Sequence, residues 1–138
     1  MKPEISIISI TLAVKDIARS IAFYKGIGLE ISLDEDSIVI ELDNLNIEFC
    51  LLSKFNVATK QTDLYHNNSK TILRVIVDNN EEVDFKFEKA VKHGGLVLTK
   101  PKEEEDGLYK GFFKDPDGHI WGIISYYEYN RKIEWAYN

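Results

Sequence analysis

Between Ile8 and Val14 apolar residues alternate with small or polar ones. Ile8, Ile10, Leu12 and Val14 fall on one face, and Ser9, Thr11 and Ala13 on the other. A period of two predicts a strand with one apolar face, reaching back to Ile5. Asp16 then stands as an N-cap. Ile17, Ile21 and Tyr24 follow at helical spacing, Ala18, Ala22 and Phe23 widen the stripe, and Gly26 and Gly28 close the helix. Residues 29–33, 37–42 and 46–52 read as short strands parted by Asp34-Glu35-Asp36 and by Asp43-Asn44. The first part of the chain is therefore β-α-β-β-β. From Ser53 to Lys70 the chain is polar and without clear period. It reads as a connecting loop with room for a short helix, either a binding lid or a link between half-domains.

The same order then returns. Residues 71–77 read as a strand, and Asp78-Asn79-Asn80 opens a helix with Val83, Phe85, Phe87, Ala90 and Val91 as its apolar positions, ended by His93-Gly94-Gly95. Residues 96–99 form a strand, 101–107 an acidic loop and 108–113 a strand. Asp115-Pro116-Asp117-Gly118 turns the chain into a last strand that ends at Ser125. Residues 10–16 lie over 73–79, 28–31 over 95–98, and 47–50 over 121–124. A repeat of this length is too long for a solenoid unit. It predicts an α+β fold of two βαβββ modules, about 5–53 and 71–126, whose curved mixed sheets form a common cleft. The whole chain, 1–138, then makes one domain. Residues 127–138 are a C-terminal extension; Trp135 and the tyrosines 126, 127 and 129 would cover the chain's own core or pack on another subunit.

Composition narrows the picture only moderately. With 138 residues, 44% hydrophobic and 29% charged, the chain is typical of one soluble globular domain. A net charge of −6 argues against a nucleic-acid partner. Cys50 is the lone cysteine, which excludes an intrachain disulfide and fits a reducing compartment. The sequence has neither a membrane-length apolar run nor a signal peptide, so a cytoplasmic location is expected.

Four pieces carry a resemblance over about residues 5–126: Leu12-Ala13-Val14-Lys15-Asp16, Ser20-Ile21-Ala22-Phe23-Tyr24, Gly94-Gly95, and the run from Tyr109 through Asp115-Pro116-Asp117-Gly118 to Trp121. In these the chain resembles the vicinal oxygen chelate superfamily, which includes glyoxalase I, the bleomycin and fosfomycin resistance proteins and extradiol dioxygenases. The resemblance implies a divalent metal in the cleft, held in each half by a histidine or glutamine of the first strand and a glutamate of the last. Carried onto this sequence, those positions are Ser9, Glu48, Ile72 and Gly122. Glu48 alone keeps a ligand-type side chain, so neither a metal nor another cofactor is expected. His66, His93 and His119 read as surface or capping residues. The resemblance also implies a homodimer.

Strand alternation turns Ser9, Thr11, Glu48, Cys50, Arg74 and Gly122 toward the expected cleft. Arg74 interrupts an apolar strand and calls for an anionic partner, either Glu48 or a ligand. Cys50 has no histidine placed to activate it and reads as inert. Gly122 leaves room for a ligand. Three functions follow: a metal-free small-molecule binder like the bleomycin-resistance branch; a metal-dependent lyase, isomerase or dioxygenase; and a structural partner domain. The first is favoured, with catalytic residues unassigned.

Overall fold

In the computed structural model, which describes residues 7, 9–34, 37–43, 45–60 and 70–125, two aspartate-type caps start the main helices. Asp16 accepts a hydrogen bond from the amide of Arg19 (3.1 Å) and opens α1 (Ile17–Gly26). Asn79 does the same for Glu82 (2.9 Å) and opens α3 (Asn80–Lys92). Each helix ends on a left-handed glycine, Gly28 at φ +99° and Gly94 at φ +108°. The next amide then reaches back into the last turn, Leu29 to the Tyr24 carbonyl and Gly95 to that of Ala90. The structural equivalent of Gly28 is thus Gly94, one residue earlier than sequence superposition gives.

The chain divides into two units, residues 1–66 and 67–138. The first holds β1 (Ser9–Val14), α1, β2 (Ser32–Asp34), β3 (Ser37–Glu41), β4 (Asn46–Leu51) and α2 (Leu52–Thr59). The second holds β5 (Ile72–Val77), α3, β6 (Leu96–Glu103), β7 (Tyr109–Lys114) and β8 (Ile120–Ser125). Each unit builds a four-stranded mixed sheet, β1-β4-β3-β2 and β5-β8-β7-β6, so the fold is α+β. The parallel pair has the same register in both. Ile10 lies beside Ile47, and Leu73 beside Trp121, which are the residues the sequence repeat superposes.

The apolar stripe of each helix makes each core. In the first unit Tyr24 stacks on Phe49 at 5.0 Å, with Leu12, Val14, Phe23, Ile40 and Ile47 buried around them. In the second, Phe87 meets Phe113 edge-on at 6.2 Å beside Val83, Ala90, Trp121 and Ile123. Gly111 lets α3 approach, because a Cβ there would come within 2.9 Å of the Pro101 ring and 3.1 Å of Phe87.

Several expectations are corrected. The strand expected at 29–33 begins only at Ser32, because Leu29 is held in the cap of α1. The connection from Ser53, read as a loop with room for a short helix, opens with one, α2, which begins a residue earlier at Leu52. Its buried Asn56 occupies a position where a helical pattern shows an apolar residue, which hid the period. β6 runs on through Pro101 instead of ending at 99, since an edge strand tolerates a missing amide. Register shifts break it on either side of Thr99, and the acidic loop shrinks to a turn closed by the Glu104 amide on the Leu108 carbonyl. Phe85 is 59% exposed rather than packed, with the Lys89 ammonium 5.0 Å from its ring centre. The expected aromatic tail and His66 lie outside the described residues.

Candidate functional site

The ladder of the first unit places Thr11 beside Glu48, Ala13 beside Cys50, and Ser9 beside Asn46. Phe49, between Glu48 and Cys50, packs on Tyr24 of α1, so Ser9, Thr11, Glu48 and Cys50 share the face turned away from that helix. Ser9 and Thr11 are exposed; Glu48 and Cys50 are half-buried. The Cys50 thiol points to the Leu51 carbonyl at 3.5 Å.

In the second unit Arg74 and Gly122 are neighbours across the β5–β8 ladder. They lie on the face turned away from α3, since Gly111 and Phe113, at alternate positions of β7, meet Phe87. Arg74 is exposed, and among the described residues of its own unit it has no hydrogen-bond or ion-pair partner. Ile72 and Ile76, 45% and 64% exposed, flank it. The space that Gly122 leaves is filled by the chain's own Phe112. A Cβ on Gly122 would lie 2.7 Å from Phe112 Cε1. A molecule on this face therefore meets the Phe112 ring.

The four positions that the resemblance assigns to metal ligands do not fit a resident divalent ion. Ser9 offers a hydroxyl and Glu48 one carboxylate, while Ile72 and Gly122 have no donor side chain. Packing of Phe112 over Gly122 places a hydrocarbon ring where an oxygen ligand would stand. Among the described residues, no three His, Cys, Asp or Glu side chains gather into a metal-binding group. His93 donates from Nδ1 to the Lys89 carbonyl (2.8 Å), which is a capping contact, and His119 lies in the turn before β8.

Sequence reasoning missed one concavity, a groove of about 620 Å³ between α3 and β6. Phe87, Val91, Val97 and Pro101 line it together with charged side chains, Asp84 among them. The Tyr109 hydroxyl donates to Asp84 at 2.6 Å. That hydrogen bond to a carboxylate, with burial and the negative charge itself, pushes the Tyr109 phenol up to about 12. The groove exists because β6 continues past Pro101, and proline in an expected loop was its sole signal in the sequence.

Comparison with known proteins bears on the fold and the family. The family model described as Glyoxalase/Bleomycin resistance protein/Dioxygenase superfamily matches residues 6–123. A search of curated proteins finds no match. Among solved structures, the chain is similar to a hypothetical protein, SA1046, of S. aureus, with 27% identity over 87% of this chain and 92% of that one and a TM-score of 0.79. It is also similar to a glyoxalase-related enzyme from Fulvimarina pelagi, with 24% identity, 87% of each chain and a TM-score of 0.78. A lactoylglutathione lyase from Agrobacterium tumefaciens shares the fold, with 18% identity over 90% of this chain and 96% of that one and a TM-score of 0.64. No helix among the described residues is long and apolar enough to cross a membrane.

Proposed function

Since this chain belongs to the glyoxalase/bleomycin resistance protein/dioxygenase superfamily, we propose that it is a metal-free small-molecule-binding protein with a degenerate metal site. The observation that carries this reading is the replacement of a ligand position by Gly122 with the Phe112 ring packed over it. A hydrocarbon surface there suits a bound organic molecule and gives nothing to a cation. Ser9, Thr11, Glu48 and Cys50 supply small and polar contacts on one sheet face. In the second unit, considered by itself, Arg74 supplies a cation and Gly122 the seat of an aromatic ring on its own sheet face. The protein pairs as a homodimer, as the sequence resemblance implies, and its single thiol fits the cytoplasm.

Native mass spectrometry of protein purified without chelator, with elemental analysis of the same sample, tests the reading. The expected result is a dimer free of divalent metal that carries or accepts a small molecule. One stoichiometric ion per chain would overturn the metal-free assignment, and a monomer at micromolar concentration would remove the dimer.

A further inference from the structure

We propose that the helix-free face of the second sheet takes an organic monoanion with a flat apolar body, the anionic group on Arg74 and the body on Phe112. The inference rests on the binding role proposed above and names the ligand's chemical class.

Register fixes which side chains share this face. Arg74, Gly122, Phe112 and Thr99 form one row across four strands. Ile72, Ile120, Lys114 and Leu96 form the row on one side, and Ile76, Ile124, Lys110 and Lys102 the row on the other. None of these strand positions is an aspartate or glutamate, although the chain as a whole carries −6. Lys110 is engaged by Asp106 at 2.6 Å, whereas the Arg74 guanidinium has no partner among the described residues of its unit. An unpaired guanidinium between two exposed isoleucines presents a planar two-pronged donor that matches a carboxylate.

The aromatic half of the site comes from Gly122. Strands stand ~4.8 Å apart, so Arg74 and Phe112, one strand to either side of Gly122, have backbones roughly 10 Å apart. With no Cβ at 122, the half-buried Phe112 ring leans into that gap toward β5. A flat body stacked on the ring would carry its anionic group over β5, where Arg74 stands. Any side chain at 122 would push the ring back.

The test uses 1-naphthoate as probe, its neutral isostere 1-naphthamide, and hexanoate, an anion without a flat body. Each is titrated into the full-length protein and followed by amide chemical-shift changes. The expected result is saturable perturbation by naphthoate of residues 72–76, 112 and 120–124. Naphthamide should bind about tenfold or more weakly, as loss of a charge-assisted contact implies. Arg74→Gln should weaken naphthoate by a similar factor and leave naphthamide unchanged. Arg74→Lys should recover part of the loss, and Gly122→Ala should abolish the preference for naphthoate over hexanoate. Arg74 is exposed on an edge strand, so its variants should keep the thermal midpoint of the parent. Equal binding of naphthoate and naphthamide, or indifference of naphthoate to Arg74→Gln, would overturn the anion assignment and leave the binding role standing. No perturbation by any probe, together with no stabilisation by a chemically broad panel of small molecules, would sink the binding role itself.

Discussion

Asp115 is 1% exposed, and its Oδ1 accepts from the amides of Asp117 (2.9 Å) and His119 (2.8 Å). The most conspicuous motif of the sequence is therefore a self-bonded turn between β7 and β8, with Gly118 at φ +92°. Truncating the carboxylate leaves two amides to find other partners. Asp115→Ala should lower stability by about 2 kcal/mol, the scale of hydrogen bonds to a charged group. Asp115→Asn, which keeps one acceptor oxygen, should lose less. Chemical denaturation with an unchanged m-value would measure both. Tyr109 gives a prediction in pH. Its phenol is raised from about 10 in the unfolded chain to about 12, so the folded chain holds that proton more tightly. The stabilisation is complete below pH ~10 and disappears as pH rises through ~12, with a size reduced by solvent because the group is partly exposed. Tyr109→Phe should lose the hydrogen bond to Asp84 at neutral pH and show a shallower fall in stability across this alkaline window. An identical alkaline profile for parent and variant would count against the Asp84 contact.

At the scale of elements, the two caps do equal work at equivalent places in the repeat. Asp16→Ala and Asn79→Ala should each cost about 1 kcal/mol, and nearly the same amount as one another, in thermal or chemical unfolding. Caps, glycine stops and strand alternation were all legible in the sequence, because each is a local rule written in one side chain or one period. What escaped was governed by neighbours outside the local window. α2 was legible only as room for a short helix, because Asn56 puts a polar residue at a buried position. The length of β6 depended on its being an edge, which no local pattern announces. Phe85 reads as core at its spacing, yet lies exposed on α3. The candidate site was legible in part. Arg74 stood out as a charge in an apolar strand. The sequence suggested that Gly122 opens a space, but the packing of Phe112 into that space depends on pairing across β7 and β8.

For the whole molecule, net charge and local charge have opposite signs at the face that carries Arg74. An acidic protein would repel an anion at long range, and that repulsion is screened beyond roughly 10 Å at 0.1 M salt. Moderate salt should therefore speed the approach of an anionic ligand even while it weakens the final contact; stopped-flow association rates against ionic strength would show it. The repeat itself bears on how the chain reaches its fold. Among the described residues every strand ladder closes inside one unit, and the parallel pairs that join Ile10 to Ile47 and Leu73 to Trp121 span no more than about 50 residues each. Neither sheet takes a described strand from the other unit. During synthesis the first ladder can close before the second has left the ribosome, and the slow search for distant strand partners that delays many β-rich proteins is cut into two shorter ones.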